Sequence, residues 1–393
     1  MSPRLRLAAA CAIAAVVAIT YVALGSPSSQ TAPADAATST TAAVAAPAAV
    51  PPMTRTYYIA ADEVEWNYAP LGHNGITGEP FGDQENTFVA NGPDRIGSTY
   101  RKALYREYTD ASFTTLKPRP AADAYLGFLG PVIHAQVGDT LKIVFRNNTR
   151  YAASMHPHNV LYDKKSEGAP YADGTGPASK GDDAVAPGST YVYTWRVPER
   201  AGPGPGDGSS VMSMYHSHTD EVGDTYSGLI GPMVITRAGM AKADGSPVDV
   251  DREVFNMFEV ADENQSLYLA KNIREHAGNP ATVDPEDEEF HESNLMHSIN
   301  GYVYGNSPKL VLNAGQRVRW YLLGMGTEVD LHTPHWHGNT LTTAMGMRMD
   351  MAELLPGSML VMDMIPDNPG TWLYHCHVND HILAGMMTTY EVR

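Results

Sequence analysis

From Tyr57 onward the chain alternates apolar and polar residues over short runs, as in Leu141-Lys142-Ile143-Val144-Phe145 and Tyr191-Val192-Tyr193-Thr194-Trp195, each bounded by Gly, Pro, Asn or Asp. A two-residue period sends alternate side chains to opposite faces, so these runs predict half-buried β-strands. No segment carries a long helical period, and short strands at this spacing predict β-sandwiches. The start of the chain differs. Arg4 and Arg6 precede an apolar run over residues 7–24, and an Ala/Pro/Ser/Thr-rich tract then reaches Pro52. Residues 1–25 read as a signal peptide or N-terminal anchor, and 26–52 as low-complexity linker. The expectation is an exported protein (extracellular, cell-surface or periplasmic), either released or tethered by an uncleaved N-terminal segment.

The strand pattern carries a repeat. Residues 53–240 contain Gly138-Asp139-Thr140, His156-Pro157-His158, Pro187-Gly188-Ser189 and Tyr215-His216-Ser217-His218, in that order. Residues 250–393 contain Ala314-Gly315-Gln316, His335-Trp336-His337, Pro356-Gly357-Ser358 and Tyr374-His375-Cys376-His377, in the same order. One sandwich has been duplicated, with the turn-rich 241–250 segment between the copies.

Charge and cysteine usage sharpen this. A net charge of −17 over 393 residues argues against a nucleic-acid partner and favours small cations as visitors. Of the two cysteines, Cys11 falls in the export segment, which leaves Cys376 without a disulfide partner. A lone cysteine is ordinarily a small buried hydrophobe. Histidine on both sides of Cys376 points instead to a metal.

Ten of the fifteen histidines form four clusters: His156/His158, His216/His218, His332/His335/His337 and His375/His377/His381. A His-x-His pair on a strand offers two imidazoles to one face, while the residue between them faces the other way. At His375-Cys376-His377 the two imidazoles therefore serve one centre and the thiolate another, a few covalent bonds apart. Imidazole and thiolate suit copper, and two His, one Cys and a weak Met make a blue-copper site, here His332, Cys376, His381 and Met386. A structural zinc site closes with four ligands and leaves the other eight histidines unused.

At these clusters the sequence resembles the multicopper oxidases, and the similarity to the ceruloplasmin–hephaestin group runs from about Tyr57 to the C-terminus. Glu167-Gly168-Ala169-Pro170-Tyr171-Ala172-Asp173-Gly174 and Ser227-Gly228-Leu229-Ile230-Gly231-Pro232 carry it beside the histidine clusters. The resemblance implies an all-β fold of two cupredoxin-like Greek-key β-sandwich domains in tandem. It implies His156 and His335 on a type 2 copper, and His158, His216, His218, His337, His375 and His377 on a type 3 pair. With the type 1 site, that makes four coppers per chain. The first copy has Ala153, Ser217, Val222 and Leu229 at the positions equivalent to His332, Cys376, His381 and Met386, so it lacks a type 1 site.

Four cluster histidines come from each copy, so the cluster belongs at a domain interface. Ceruloplasmin-type proteins arrange six such domains in a ring, which implies here a homotrimer with its trinuclear clusters between subunits. In the ferroxidases of the group, an iron site beside the type 1 copper matches Glu292, His297 and Asp380, with Glu328 matching a glutamate donated by an adjacent domain. The implied reaction is one-electron oxidation of Fe(II) coupled to four-electron reduction of O2 to water, with Cys376, His375 and His377 as the electron path. A stripe of Met345, Met347, Met349 and Met351 ordinarily fills apolar space. Thioether also prefers cuprous copper, so a cuprous oxidase is the alternative, followed by a laccase-type phenol oxidase. A copper-free binding scaffold like the clotting-factor domains is disfavoured because every ligand position is intact.

Overall fold

The computed structural model describes residues 50–393. The expected export segment and most of the expected linker lie outside the described residues.

Four sheets make two sandwiches. In the first, one sheet has the order Thr99–Tyr108, Thr54–Asn67, Thr140–Asn147, Thr190–Arg196, and the other Ile133–Gln136, Ile230–Thr236, Ser210–His216, His156–Pro157. In the second, a six-stranded sheet runs Leu295–Ile299, Arg252–Asp262, Val318–Gly324, Met359–Met364, Leu341–Thr343, Arg348–Met349. It faces a four-stranded sheet of Leu310–Leu312, Met387–Val392, Gly370–Cys376 and Pro334–Trp336.

The duplication is visible in strand polarity. Thr54–Asn67 pairs parallel with Thr140–Asn147, and Arg252–Asp262 pairs parallel with Val318–Gly324. A second parallel pair recurs as Ile133–Gln136 on Ile230–Thr236 and Leu310–Leu312 on Met387–Val392. The predicted alternation holds along Thr190–Arg196, where Tyr193 and Trp195 are buried and Val192 and Thr194 are exposed. Helices are short, the longest described being Leu269–His276, and no helix among the described residues is long and apolar enough to cross a membrane.

Polar groups tie the sandwiches together. Arg319, buried on the second, donates to Ser209 Oγ at 2.6 Å and Ser210 Oγ at 2.8 Å on the first, and to Asp363 Oδ1 at 2.7 Å. Lys102, buried on the first, pairs with Glu263 on the second and donates to the Tyr226 carbonyl at 2.8 Å. Residues 68–98 leave the first sandwich and lie along the second. Gly75 N–H donates to Tyr304 O at 2.8 Å, while Gly278 N–H donates to Gly92 O at 2.8 Å and Asn279 N–H to Pro93 O at 2.6 Å.

Candidate metal centre

Strand pairing assembles the clusters. His156 lies opposite His216, and His335 opposite His375, while Pro334 lies opposite Cys376. Side-chain alternation then sorts the residues: His335 and His375 project from one face, and Trp336 and Tyr374 pack into the core on the other.

Cys376 is fully buried and belongs to a group with His332 and His381. Its Sγ lies 3.6 Å from His381 Nδ1 and 4.0 Å from His332 Nδ1, and it accepts the Thr333 N–H at 3.4 Å. Met386 is buried beside them, its carbonyl accepting the Cys376 N–H at 3.0 Å and its own N–H donating to His381 O at 2.9 Å. Burial opposes the Cys376 thiolate, but His332, His381 and two backbone N–H groups outweigh it and bring the thiol down to about 6. The thiolate, the form that binds metal, is thus the neutral-pH species.

The remaining eight histidines form two quartets. In the first, His158 Nε2 stands 3.1 Å from His216 Nε2, and the His156 and His218 rings pack 5.3 Å apart. In the second, His375 Nε2 faces His337 Nε2 and His335 Nδ1, each at 3.2 Å, and His377 packs against His335 at 5.3 Å. Backbone carbonyls fix the tautomers, since a carbonyl can only accept. Glu167 O holds His156 Nδ1 at 2.6 Å, Ser217 O holds His216 Nδ1 at 3.0 Å, and Cys376 O holds His375 Nδ1 at 2.7 Å. Each of those rings is left with a bare Nε2. Burial, with neighbouring imidazoles adding to it, brings His158 down to about 4, and burial brings His216 down to about 4. His156, His158 and His216 in the first quartet, and His335, His337 and His375 in the second, bring ring nitrogens to within 4.8 Å of one another. A cation satisfies such an arrangement, and this donor set fits copper.

No ring of one quartet packs against a ring of the other among the described residues. His335 and His337 line a cleft of about 540 Å³ together with Asp350, Asp367 and Trp372.

The first sandwich shows what replaces the sulfur site. Ser217 Oγ accepts the Ser154 N–H at 3.0 Å, as Cys376 Sγ accepts that of Thr333, and donates to Asp224 Oδ2 at 2.5 Å. Ala153 and Leu229 are buried there, while Val222 is exposed.

Of the four residues matched to an iron site, His297 touches the sulfur site directly and Asp380 adjoins it in sequence. His297 is buried with its ring 5.4 Å from that of His381, and its Nδ1 faces the Leu295 carbonyl at 3.0 Å, so Nε2 carries the lone pair. Burial, reinforced by His381, brings it down to about 4. Asp380 adjoins His381 and is exposed, Glu292 is exposed on the helix Glu288–Ser293, and Glu328 is exposed in the loop before His332. They do not form one of the groups whose ligand atoms all lie within 4.8 Å of one another among the described residues. The methionine stripe departs from the expectation of apolar filling: Met345, Met347 and Met351 are 75%, 54% and 44% exposed. The chain turns at Gly346 (φ +84°) between the strands Leu341–Thr343 and Arg348–Met349, and Met349 alone of the four packs on the core.

Sequence reasoning missed Asp330, whose carboxylate faces His332 Nε2, and Phe88, whose ring meets His297. Neither lies in a spacing motif.

Two family models described as multicopper oxidase match residues 107–239 and 276–393, together more than half of the chain. The chain belongs to the multicopper oxidases, a family that binds copper. It is 45% identical over 343 residues to the Homo sapiens protein named ferroxidase HEPHL1, 44% identical over 344 residues to Homo sapiens hephaestin, and 43% identical over 345 residues to Homo sapiens ceruloplasmin. Each match covers 86% of this chain but only 29%, 29% and 32% of those proteins, so the chain spans about a third of the length of the relatives it matches. Among solved structures, a multicopper oxidase superposes with a TM-score of 0.52 at 15% identity, covering 87% of this chain and 89% of that one. The blue copper oxidase from Nitrosomonas europaea gives 0.52 at 16% identity and 86% of both chains. These share the all-β cupredoxin-like fold.

Proposed function

We propose that this protein is an exported multicopper oxidase that oxidises Fe(II) and reduces O2 to water, with two cupredoxin domains at 53–240 and 250–393. The observation that carries it is the join at residues 375–377: a buried thiolate on one side of the strand and two imidazoles of a separate quartet on the other. Copper, when bound, supplies the one-electron chemistry and the reduction of dioxygen. The chain supplies the rest. His332, Cys376, His381 and Met386 would hold the type 1 ion, His156 and His335 the type 2 ion, and the other six histidines the type 3 pair, four coppers in all. Phe258, buried with its ring against those of His332 and Tyr374, helps to exclude water from the sulfur site. Cys376 and its flanking histidines give the shortest covalent route between the two kinds of site.

His297 packs against His381, Asp380 precedes His381 in sequence, Glu292 lies on the helix just before the strand that bears His297, and carboxylates with one imidazole suit iron. The identity to proteins named as ferroxidases supports this substrate. Each quartet is half of an eight-histidine set, which supports closure between chains: the second sandwich of one copy against the first of the next, as a homotrimer. The solvent-facing Met345, Met347 and Met351 favour a second reading, cuprous copper as reductant.

Oxygen uptake during Fe(II) oxidation tests the proposal. Four Fe(II) consumed per O2, with a rate above that for Cu(I) or a phenol, is expected; a faster Cu(I) rate would transfer the assignment to the second reading. Light scattering that finds a fully active, copper-loaded monomer would remove the trimer.

A further inference from the structure

We propose that Phe88, which reaches across from residues 68–98, is a positioning residue that fixes His297 for iron, an inference that rests on the iron-oxidising reading above. Phe88 is the one buried side chain of the helix Asp83–Val89. Its ring meets that of His297 edge-on, with centroids 5.5 Å apart and planes at 71°. On another side His297 meets His381 at 5.4 Å, and its Nδ1 is held by the Leu295 carbonyl at 3.0 Å. Backbone, copper ligand and Phe88 thus fix the ring from three directions. An imidazole held this way keeps its Nε2 lone pair aimed at one point, whereas a free one spends rotamer entropy on every binding event.

The helix itself cannot drift. Leu71 N–H donates to Asn306 Oδ1 at 2.7 Å and Asn306 Nδ2 to His73 O at 3.1 Å before it; Asn91 Nδ2 donates to His276 O at 2.5 Å and Arg95 pairs with Glu289 at 3.2 Å after it. Phe81 packs against Tyr304 at 6.0 Å, and Tyr304 lies over Gly385, next to Met386. Residues 68–98 therefore clamp one sandwich to the iron-facing side of the other. Glu289 and Glu292 share the helix Glu288–Ser293, so the same clamp holds the helix bearing one proposed iron carboxylate.

The test is steady-state oxidation by the copper-loaded holoprotein of Fe(II) and of p-phenylenediamine, an organic donor with no use for an imidazole ligand. Phe88→Ala is expected to raise KM for Fe(II) about 10–100-fold while KM for the organic donor moves less than about twofold. Phe88→Leu, which keeps the apolar volume and folds where Ala does not, should shift Fe(II) KM in the same direction. Should both variants keep the wild-type Fe(II) KM while His297→Ala loses it, Phe88 has no positioning role and the iron site stands. A wild-type protein with no saturable Fe(II) oxidation would overturn the iron-oxidising reading and this inference with it.

Discussion

Asp330 Oδ1 lies 3.3 Å from His332 Nε2, with both side chains buried. The carboxylate is itself anchored, accepting the Val260 N–H at 2.7 Å and the Thr327 N–H at 2.8 Å. The turn at Gly326, with φ +112°, packs so tightly on it that an added Cβ would sit 2.2 Å from Asp330 Cγ. Asp330 thereby sets an anchored carboxylate against the Nε2 edge of His332, whose Nδ1 faces Cys376. Asp330→Ala should weaken copper binding at the sulfur site by about 10–100-fold, read by titrating copper into apoprotein and following the blue absorption. An unchanged affinity would mean that Cys376 and His381 alone orient the site.

Ser217 already shows the outcome of placing a hydroxyl where Cys376 stands: it accepts the same kind of backbone N–H, from Ser154 at 3.0 Å. Cys376→Ser should therefore fold and melt cooperatively, yet lack blue colour and Fe(II) oxidation, because the soft thiolate is gone. Retained colour in that variant would remove Cys376 from the site.

His134 Nε2 and Glu253 Oε2 pair at 3.0 Å between the two sandwiches. Burial works against the His134 charge, but Glu253 and Asp244 outweigh it and Arg55, so its pKa is raised. Burial likewise opposes the Glu253 charge, and His134 outweighs it, so that pKa is lowered. The histidine contribution is complete below its ordinary value of about 6.5 and is lost as pH rises through the raised value. The glutamate contribution is present above its ordinary value of about 4.3 and is lost as pH falls through the lowered value. Glu253→Gln should thus cost about 1–2 kcal/mol between those limits and progressively less at alkaline pH, measured by denaturant unfolding against pH. A pH-independent difference would contradict the pairing.

Lys102 and Glu263 are fully buried, and Tyr68 donates to Glu263 at 2.6 Å as a third member. Lys102→Met leaves that carboxylate in the core without its cation, at a cost of about 3–5 kcal/mol in urea unfolding. The double variant Lys102→Met with Glu263→Gln should recover part of it, because no bare charge remains. A loss near zero in the single variant would show that water reaches the pair.

Most of the site was legible because it obeys strand arithmetic. His-x-His spacing requires two imidazoles on one face, and the opposed pairs His156/His216 and His335/His375 follow from antiparallel register. What stayed hidden depends on contacts between distant segments. Phe88 and His297 are brought together only by the clamp of residues 68–98, and Lys102 and Glu263 only by the sandwich interface. The groups that fix His156, His216 and His375 are main-chain carbonyls, which leave no mark on residue type. The methionine stripe misled because Met345 and Met347 fall in the turn between Leu341–Thr343 and Arg348–Met349, where period-two spacing no longer means a shared strand face.

Copper content of the purified, reconstituted protein, measured by mass spectrometry of the metal and set against amino-acid analysis, probes the account most directly. The ligand sets at Cys376 and the two histidine quartets predict about four copper ions per polypeptide, with loss of about one in Cys376→Ser. A holoprotein that saturates at a single ion, or that keeps all its copper when Cys376 is replaced, would contradict it.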